Sequence, residues 1–221
     1  SYNPPEALRY ESALHHVKRH HAEKYCAERY SAESHYIETA SQSNVAQVVL
    51  HERKGLMQHV LRGGDGASED ENKAFYDGVE ATLGIPLPRK PCSSIVGEKM
   101  QIWWLSPNEW LILSPEDFSV EAKLRHQLSG HFSVVDVSGG QCVIELSGLQ
   151  AQAVLRKSTS YDVDTRSLPV GKCVGTLLAK AQVVLRRSGE NEFELIVRRS
   201  FADYLWLWLQ DASEEFGLII E

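Results

Sequence analysis

The sequence predicts an α+β fold built from two packed split-βαβ units with antiparallel sheets, a ferredoxin-like arrangement repeated once. Three observations carry this expectation. Short blocks of branched and aromatic residues recur along most of the chain between turn signals. Helical periodicity is confined to a few stretches that have their own start and stop residues. Strands come as hairpins interleaved with those helices, which argues against a doubly wound parallel sheet.

Residues 1–40 form a unit of their own in this reading. They are polar and free of glycine, with Tyr10, Leu14 and Val17 at helical spacing, so a weakly amphipathic helical or mobile extension is expected. The first α+β unit spans 41–131. Val45–Leu50 and Met57–Leu61 read as strands around the charged His51–Lys54, and Gly63-Gly64-Asp65-Gly66 breaks the chain. Ser68 caps the next helix, Glu71 completes a capping box, Phe75, Val79 and Leu83 form one face, and Gly84 stops it. Ile85–Pro88 is extended. Ile102–Leu113 then reads as a hairpin around Ser106-Pro107-Asn108-Glu109, a wording that suits a type I turn. Ser119 opens a helix with Val120, Leu124 and Leu128 inward, and Gly130 ends it.

The second α+β unit spans 132–221. Phe132–Val137, which would complete the first split βαβ set, and Cys142–Leu146 read as strands around Ser138-Gly139-Gly140, and Leu149–Lys157 as a short helix. Val174–Leu178, Gln182–Arg186 and Glu192–Val197 follow as strands, the last two joined by a hairpin. Ser200 is the expected cap of the final helix, with Asp203 in the box position. Phe201, Tyr204, Leu205, Trp208 and Ala212 are expected to form its inner face, and Gly217 its stop.

Composition narrows the function classes. The 221 residues are 43% hydrophobic and 24% charged, ordinary globular usage. No apolar run reaches the roughly 20 residues of a spanning helix, and no basic-then-apolar leader opens the chain. A cytoplasmic protein is expected. A formal charge of -7 disfavours a nucleic-acid or anionic-membrane binder. Arg186-Arg187 and Arg198-Arg199 are the dense basic spots, and both read as solvated strand ends. Cys26, Cys92, Cys142 and Cys173 lie far apart without a CxxC pair, which indicates reduced thiols.

Chemistry is sparse. The glycine cluster at 63–66 lacks a phosphate-loop wording and is followed by acidic residues, so a surface loop is expected. His15, His16, His20 and His21 are the metal candidates, with His16 and His20 sharing a helix face, but no Asp, Glu or Cys is spaced to finish a tetrahedral site. Cys142 and Ser138 are candidate nucleophiles and His126 and His131 candidate bases, with nothing in the sequence to set their geometry. Asp136, Ser138, Gly139 and Gly140 form the most interesting polar corner. A carboxylate at a strand end beside two glycines could hold a ligand, or could simply satisfy backbone N–H groups in a bulge. Trp103, Trp104 and Trp110 should divide between the two faces of their hairpin. One face fills the first unit's core, and the other meets the second unit or a partner subunit.

Longer wording then carries a resemblance. Trp104-Leu105-Ser106-Pro107-Asn108-Glu109-Trp110-Leu111-Ile112-Leu113, Val135-Asp136-Val137-Ser138-Gly139-Gly140 and Arg199-Ser200-Phe201-Ala202-Asp203-Tyr204-Leu205-Trp206 resemble the γ subunit of heterotetrameric sarcosine oxidase. Leu50-His51-Glu52-Arg53, Leu61-Arg62-Gly63, Leu83–Pro88 and Leu168-Pro169-Val170-Gly171 extend it in chain order. Ser106 departs from the Gly common there, Cys92 from an Asn that often follows the Pro, and residues 1–40 look like an addition.

The resemblance implies a fold like the folate-binding region of the glycine-cleavage aminomethyltransferase. It implies partners, the α, β and δ subunits, in a complex that oxidatively demethylates sarcosine to glycine. Oxygen is reduced to hydrogen peroxide there, and the methyl carbon passes to tetrahydrofolate or leaves as formaldehyde. FAD, FMN, NAD and zinc are expected in the other chains and no cofactor in this one, whose role would be structural. The alternative is a free-standing folate-binding aminomethyltransferase-like protein with Asp136 as polar anchor. Such transferases continue into a further C-terminal domain, whereas this sequence stops at Glu221.

Overall fold

The structure is a computed structural model that describes residues 46–221. The helical extension and the His15–His21 cluster expected at the N-terminus lie outside the described residues.

Among the described residues, two sheets and four helices form a layered sandwich. The six-stranded sheet has the order β11-β1-β7-β10-β9-β8. Its strands are β1 (Val48–Arg53), β7 (Gln141–Ser147), β8 (Cys173–Leu178), β9 (Ala181–Gly189), β10 (Glu192–Arg198) and β11 (Leu218–Ile220). The five-stranded sheet has the order β3-β4-β5-β2-β6. It is built from β2 (Leu56–Arg62), β3 (Ser94–Val96), β4 (Gln101–Ser106), β5 (Glu109–Pro115) and β6 (Ser133–Asp136). Helices α1 (Glu69–Leu83) and α2 (Val120–Gln127) cover the five-stranded sheet, and α3 (Ala151–Ser158) and α4 (Arg199–Ser213) cover the six-stranded one.

The sheets exchange strands at the expected unit boundary. β1 pairs antiparallel with β7 although its sequence neighbour β2 lies in the other sheet, and β6 pairs with β2. A cut between residues 131 and 132 therefore strands β6 on the wrong side, and β1 belongs with the second unit. The two-residue Lys54-Gly55 link, in which Gly55 takes φ 72°, carries the chain from one sheet into the other.

Local signals are realised where they are strong. Ser68 Oγ accepts the Glu71 N–H at 3.2 Å, Glu71 Oε2 accepts the Ala67 N–H at 2.9 Å, and Gly84 ends α1 at φ 77°. Phe75, Val79 and Leu83 are the buried face. The tryptophan hairpin forms, with Trp104 opposite Trp110, but Asn108 sits at φ 61°. A type II turn requires a positive value at that position, whereas type I would need about −90°.

The last helix differs more. α4 starts at Arg199 behind Arg198 and has no side-chain cap, so Ser200 and Asp203 do not form the expected box. Its buried face is Ala202, Leu205, Trp206, Leu209 and Ser213, while Phe201, Tyr204 and Trp208 are exposed. Both sets repeat at helical spacing, and packing on the six-stranded sheet selects the one with small Ala202 at the contact. β7 is buried on both faces at Cys142, Val143 and Ile144, because it is an inner strand between two packed layers.

Three apolar clusters fill the layers. Leu61, Trp110, Ile112 and Val134 meet α1 and α2. Leu50, Ile144, Leu185 and Leu195 meet Val154 and Leu155 of α3 and Leu205, Trp206 and Leu209 of α4. Trp103, Leu111 and Leu113 meet Val143, Cys173 and Ile196 between the sheets. No helix among the described residues is long and apolar enough to cross a membrane.

Candidate functional site

The chain crosses between the sheets twice on the same side of the molecule. The first crossing is the β1–β2 link, and the second runs from β6 through a 3-10 turn at Ser138–Gly140 into β7. Residues 52–58 and 138–143 consequently line one cavity of ≈ 120 Å³, with Glu116 and Arg199 at its edge. A shallower groove lined by Asp136, Val137, Gly139, Gly140, Gln141 and Arg198 adjoins it.

Asp136 is used by its own turn. Its Oδ1 accepts from the Ser138 N–H at 2.8 Å and from Ser138 Oγ at 2.5 Å. Ser138 Oγ in turn accepts the Gln58 N–H at 2.8 Å, which ties β2 to the second crossing. Burial alone would raise the Asp136 carboxyl, but the two Ser138 hydrogen bonds and nearby His59 outweigh it and hold it below its ordinary value. The Gly140 backbone stays open, since a Cβ there would meet nothing within 4 Å. Asp136, Ser138, Gly139 and Gly140 thus do come together, as an Asx-type turn that joins the sheets.

The turn also collects residues that belong to no local motif. His59 is the register partner of Asp136 and only 4% exposed, with Nδ1 buried and unpartnered. Desolvation by burial lowers its pKa, against the pull of Asp136 and Glu121. A nucleophilic serine needs its hydroxyl proton directed to a base. Ser138 directs its proton to Asp136 and not to His59, so no Ser–His pair exists at this corner. Only the β2–β6 pairing brings His59 to Asp136, a contact 77 residues apart in the chain that no local pattern announces.

The other candidates are dispersed. Cys142 is buried against the α3–α4 layer, whereas exposed His126 belongs to α2 and exposed His131 follows it, beyond the opposite sheet. Two sheets stacked about 10 Å apart lie between the thiol and those imidazoles. Among the described residues no group of three His, Cys, Asp or Glu side chains is placed to hold a metal ion.

The tryptophans also settle into defined places. Trp103 is 0% exposed between the sheets, and its Nε1 donates to Gln101 Oε1 at 3.0 Å. Trp110 is 1% exposed under α1, donating to the Pro88 carbonyl at 2.8 Å. Neither can offer surface to another subunit, which corrects the interface expectation for both. Trp104 is half-buried at the edge of the α1–α2 layer.

The basic pair Arg186-Arg187 is likewise internal and not a solvated strand end. Arg187 is 1% exposed and donates to the carbonyls of Val163 and Leu168, at 3.3 and 3.4 Å, and of Gly189 and Glu190. It fastens the 163–168 loop to the β9–β10 hairpin. Arg186 donates through Nε to Ser94 Oγ at 2.7 Å and pairs with Glu194, joining the two sheets. Arg198 and Arg199 are exposed as expected.

Comparison with known proteins agrees with this architecture. The family model described as "Sarcosine oxidase, gamma subunit family" matches residues 64–215. The sarcosine oxidase subunit gamma of an Arthrobacter species is 33% identical over 187 residues, 83% of this chain and 89% of that one. Its counterpart from Corynebacterium sp. strain P-1 is 34% identical over 145 residues, 64% of this chain and 71% of that one. A chain of the heterotetrameric sarcosine oxidase of Corynebacterium sp. U-96, solved with pyrrole 2-carboxylate, superposes with a TM-score of 0.71 at 28% identity, over 84% of this chain and 93% of that one. The glycine cleavage system aminomethyltransferase T of Bartonella henselae shares the fold, with a TM-score of 0.55 at 17% identity over 80% of this chain and 48% of that one. By sequence and by structure alike, the chain belongs to the sarcosine oxidase gamma subunit family.

Proposed function

We propose that this chain acts as the non-catalytic γ subunit of a cytoplasmic heterotetrameric sarcosine oxidase, with α, β and δ chains as its partners. The carrying observation is the extent of the structural match: 93% of one chain of a solved heterotetrameric sarcosine oxidase superposes on it. The described residues fit a supporting role. The polar corner at Asp136 closes on itself, and the candidate thiol and imidazoles lie in different layers. In this reading FAD, FMN, NAD and zinc reside in the partner chains. Those chains demethylate sarcosine to glycine with peroxide as co-product, and the methyl carbon goes to tetrahydrofolate or leaves as formaldehyde. The chain contributes a rigid β-sandwich against which they assemble. A free-standing folate enzyme anchored on Asp136 is less well supported, because that carboxylate is already spent on Ser138.

Co-expression tests the assignment. The α, β and δ chains with this chain should elute as one flavin-containing complex that oxidises sarcosine, and without it assembly and activity should fall sharply. Full assembly and activity without it would overturn the reading.

A further inference from the structure

A sheet edge presents a row of unpaired N–H and C=O groups, and folded proteins keep such edges short, charged, kinked or covered. Three of the four edge strands here are short, β3 and β11 with three residues each and β6 with four. β8 is different. It ends the six-stranded sheet, and its six residues, Cys-Val-Gly-Thr-Leu-Leu, contain neither a charge nor a proline.

Alternation decides which of its backbone groups face out. The Lys172 carbonyl accepts the Arg187 N–H on the β9 side, whereas the Cys173 N–H donates away from β9, to the Cys92 carbonyl at 3.0 Å. The direction reverses at each residue, so Gly175 and Leu177 also turn their N–H and C=O groups outward. No other backbone group among the described residues bonds them there. Ser93 bridges Lys172 and starts an outer neighbour for β8, but Pro91 has no N–H and Cys92 turns away at φ 58°. At the other end the Ala179 N–H is taken by the Ser158 carbonyl at 2.6 Å. Between these two stops lies an open slot, long enough for an extended segment of about five residues. Leu177, 56% exposed, and Gly175, where a Cβ would meet nothing within 4 Å, leave room for side chains beside it.

Charge says what fits. Lys172 and Lys180 flank the strand, and no Asp or Glu occurs between residues 165 and 189, although the chain as a whole carries -7. A second copy is disfavoured, because antiparallel pairing about Thr176 would set Lys172 of each chain against Lys180 of the other.

We propose that the outer edge of β8 receives an extended segment of another subunit, apolar in the middle and acidic at its ends, as an added strand of the six-stranded sheet. The inference rests on the subunit reading above and names the surface through which a partner joins.

Hydrogen exchange resolved to single amides, on the chain alone and in the complex co-expressed with α, β and δ, tests it directly. The Gly175 and Leu177 amides should exchange freely in the isolated chain and slow by about tenfold or more in the complex. Leu177→Pro removes an outward N–H without touching the β8–β9 ladder, and Lys180→Glu reverses a flanking charge. Each should weaken co-purification by about tenfold or more while thermal melts show a folded chain. If Leu177→Pro does not fold, Lys180→Glu and exchange in the parent complex carry the decision. An assembled complex with unaltered exchange at Gly175 and Leu177, or folded variants that assemble like the parent, would overturn the proposal and leave the subunit reading intact. Protection of these amides in a dimer of the chain alone would give the slot to a second copy and overturn it too. Failure of the parent to assemble at all would remove the subunit reading, and the named occupant with it.

Discussion

Arg186 and Glu194 are register partners on adjacent strands β9 and β10, and their side chains form an ion pair buried between the two sheets. Glu194 also accepts from Arg53 Nη1 at 2.6 Å and from Gln101 Nε2 at 3.2 Å, and Gln101 receives the Trp103 indole N–H. One carboxylate therefore links β1, β4, β9 and β10. Removing one member of such a network leaves a buried charge without its partner, while replacing the pair by apolar groups removes both. Glu194→Leu is expected to cost about 3–5 kcal/mol in urea unfolding, and Arg186→Met with Glu194→Leu markedly less. Equal losses from the single and double variants would show that the pair does not act as a unit.

Acid should destabilise the protein in two stages. His59 has a folded pKa below its ordinary 6.5 because burial disfavours imidazolium. Below pH 6.5 the unfolded chain takes up a proton that the folded chain refuses, so stability falls as pH drops from there toward the lowered folded value. Asp136 is also depressed in the folded state, from an ordinary 3.8, chiefly by its Ser138 hydrogen bonds acting against burial. Its contribution is complete above that value and is lost as pH falls through the folded pKa. Thermal melts of His59→Gln should show a flatter stability profile below pH 6.5 than the parent, and Asp136→Asn should remove the more acidic limb while steepening the fall below pH 6.5, because Asp136 holds the His59 pKa up. An unaltered profile in His59→Gln would locate the transition elsewhere.

Cys173 should resist thiol reagents in the native state. It is 1% exposed between the sheets, and burial pushes its pKa up to about 12, with the neighbouring Cys92 adding to the shift. At pH 8 the reactive thiolate is nearly absent. Peptide mapping after alkylation should find Cys173 unmodified in folded protein and modified in denaturant. Labelling of Cys173 as fast as of the half-buried Cys92 would show that the sheets open readily.

What the sequence made legible was local. Ser68, Glu71 and Gly84 specify both ends of α1 through contacts a few residues apart, and Val120, Leu124 and Leu128 specify the buried side of α2 in the same way. α4 was legible as a helix but not in its orientation, because Phe201, Tyr204 and Trp208 repeat with the same spacing as Ala202, Leu205 and Leu209. Only the six-stranded sheet chooses between them. The parallel pairing of β11 with β1 depends on a partner far away in the chain, and β3 is too short to carry a pattern although its partner β4 follows it directly. The same holds at the site. Asp136 and its glycines were visible as a strand end and a break, whereas Gln58, Gln141 and His59 acquire meaning from the crossings that bring residues 52–58 against 138–143. The basic pair at 186–187 lies inside because Arg186 meets Glu194 across the hairpin and Ser94 of the other sheet, and Arg187 meets the carbonyls of the 163–168 loop.

Trp103 and Trp104 adjoin in sequence yet should behave as different kinds of residue. Trp103 fills the space between the sheets against Val143, Cys173 and Ile196, and its ring lies 5.8 Å from the Arg186 guanidinium. Truncation to Ala would leave a cavity the two sheets cannot close without moving against each other, and would leave Gln101 Oε1 without the indole donor. A loss of about 3–5 kcal/mol is expected, enough to unfold a marginal domain. Trp104 is half-buried beside Trp110 on the other face, so Trp104→Ala should cost less and leave the isolated chain folded. Denaturant melts of the two variants, followed by co-purification with the other oxidase subunits, separate packing from docking. If Trp103→Ala folds with near-parental stability but no longer co-purifies, the sheet interface is not what Trp103 serves. If Trp104→Ala folds and loses only the complex, the edge of the five-stranded sheet is where a partner sits.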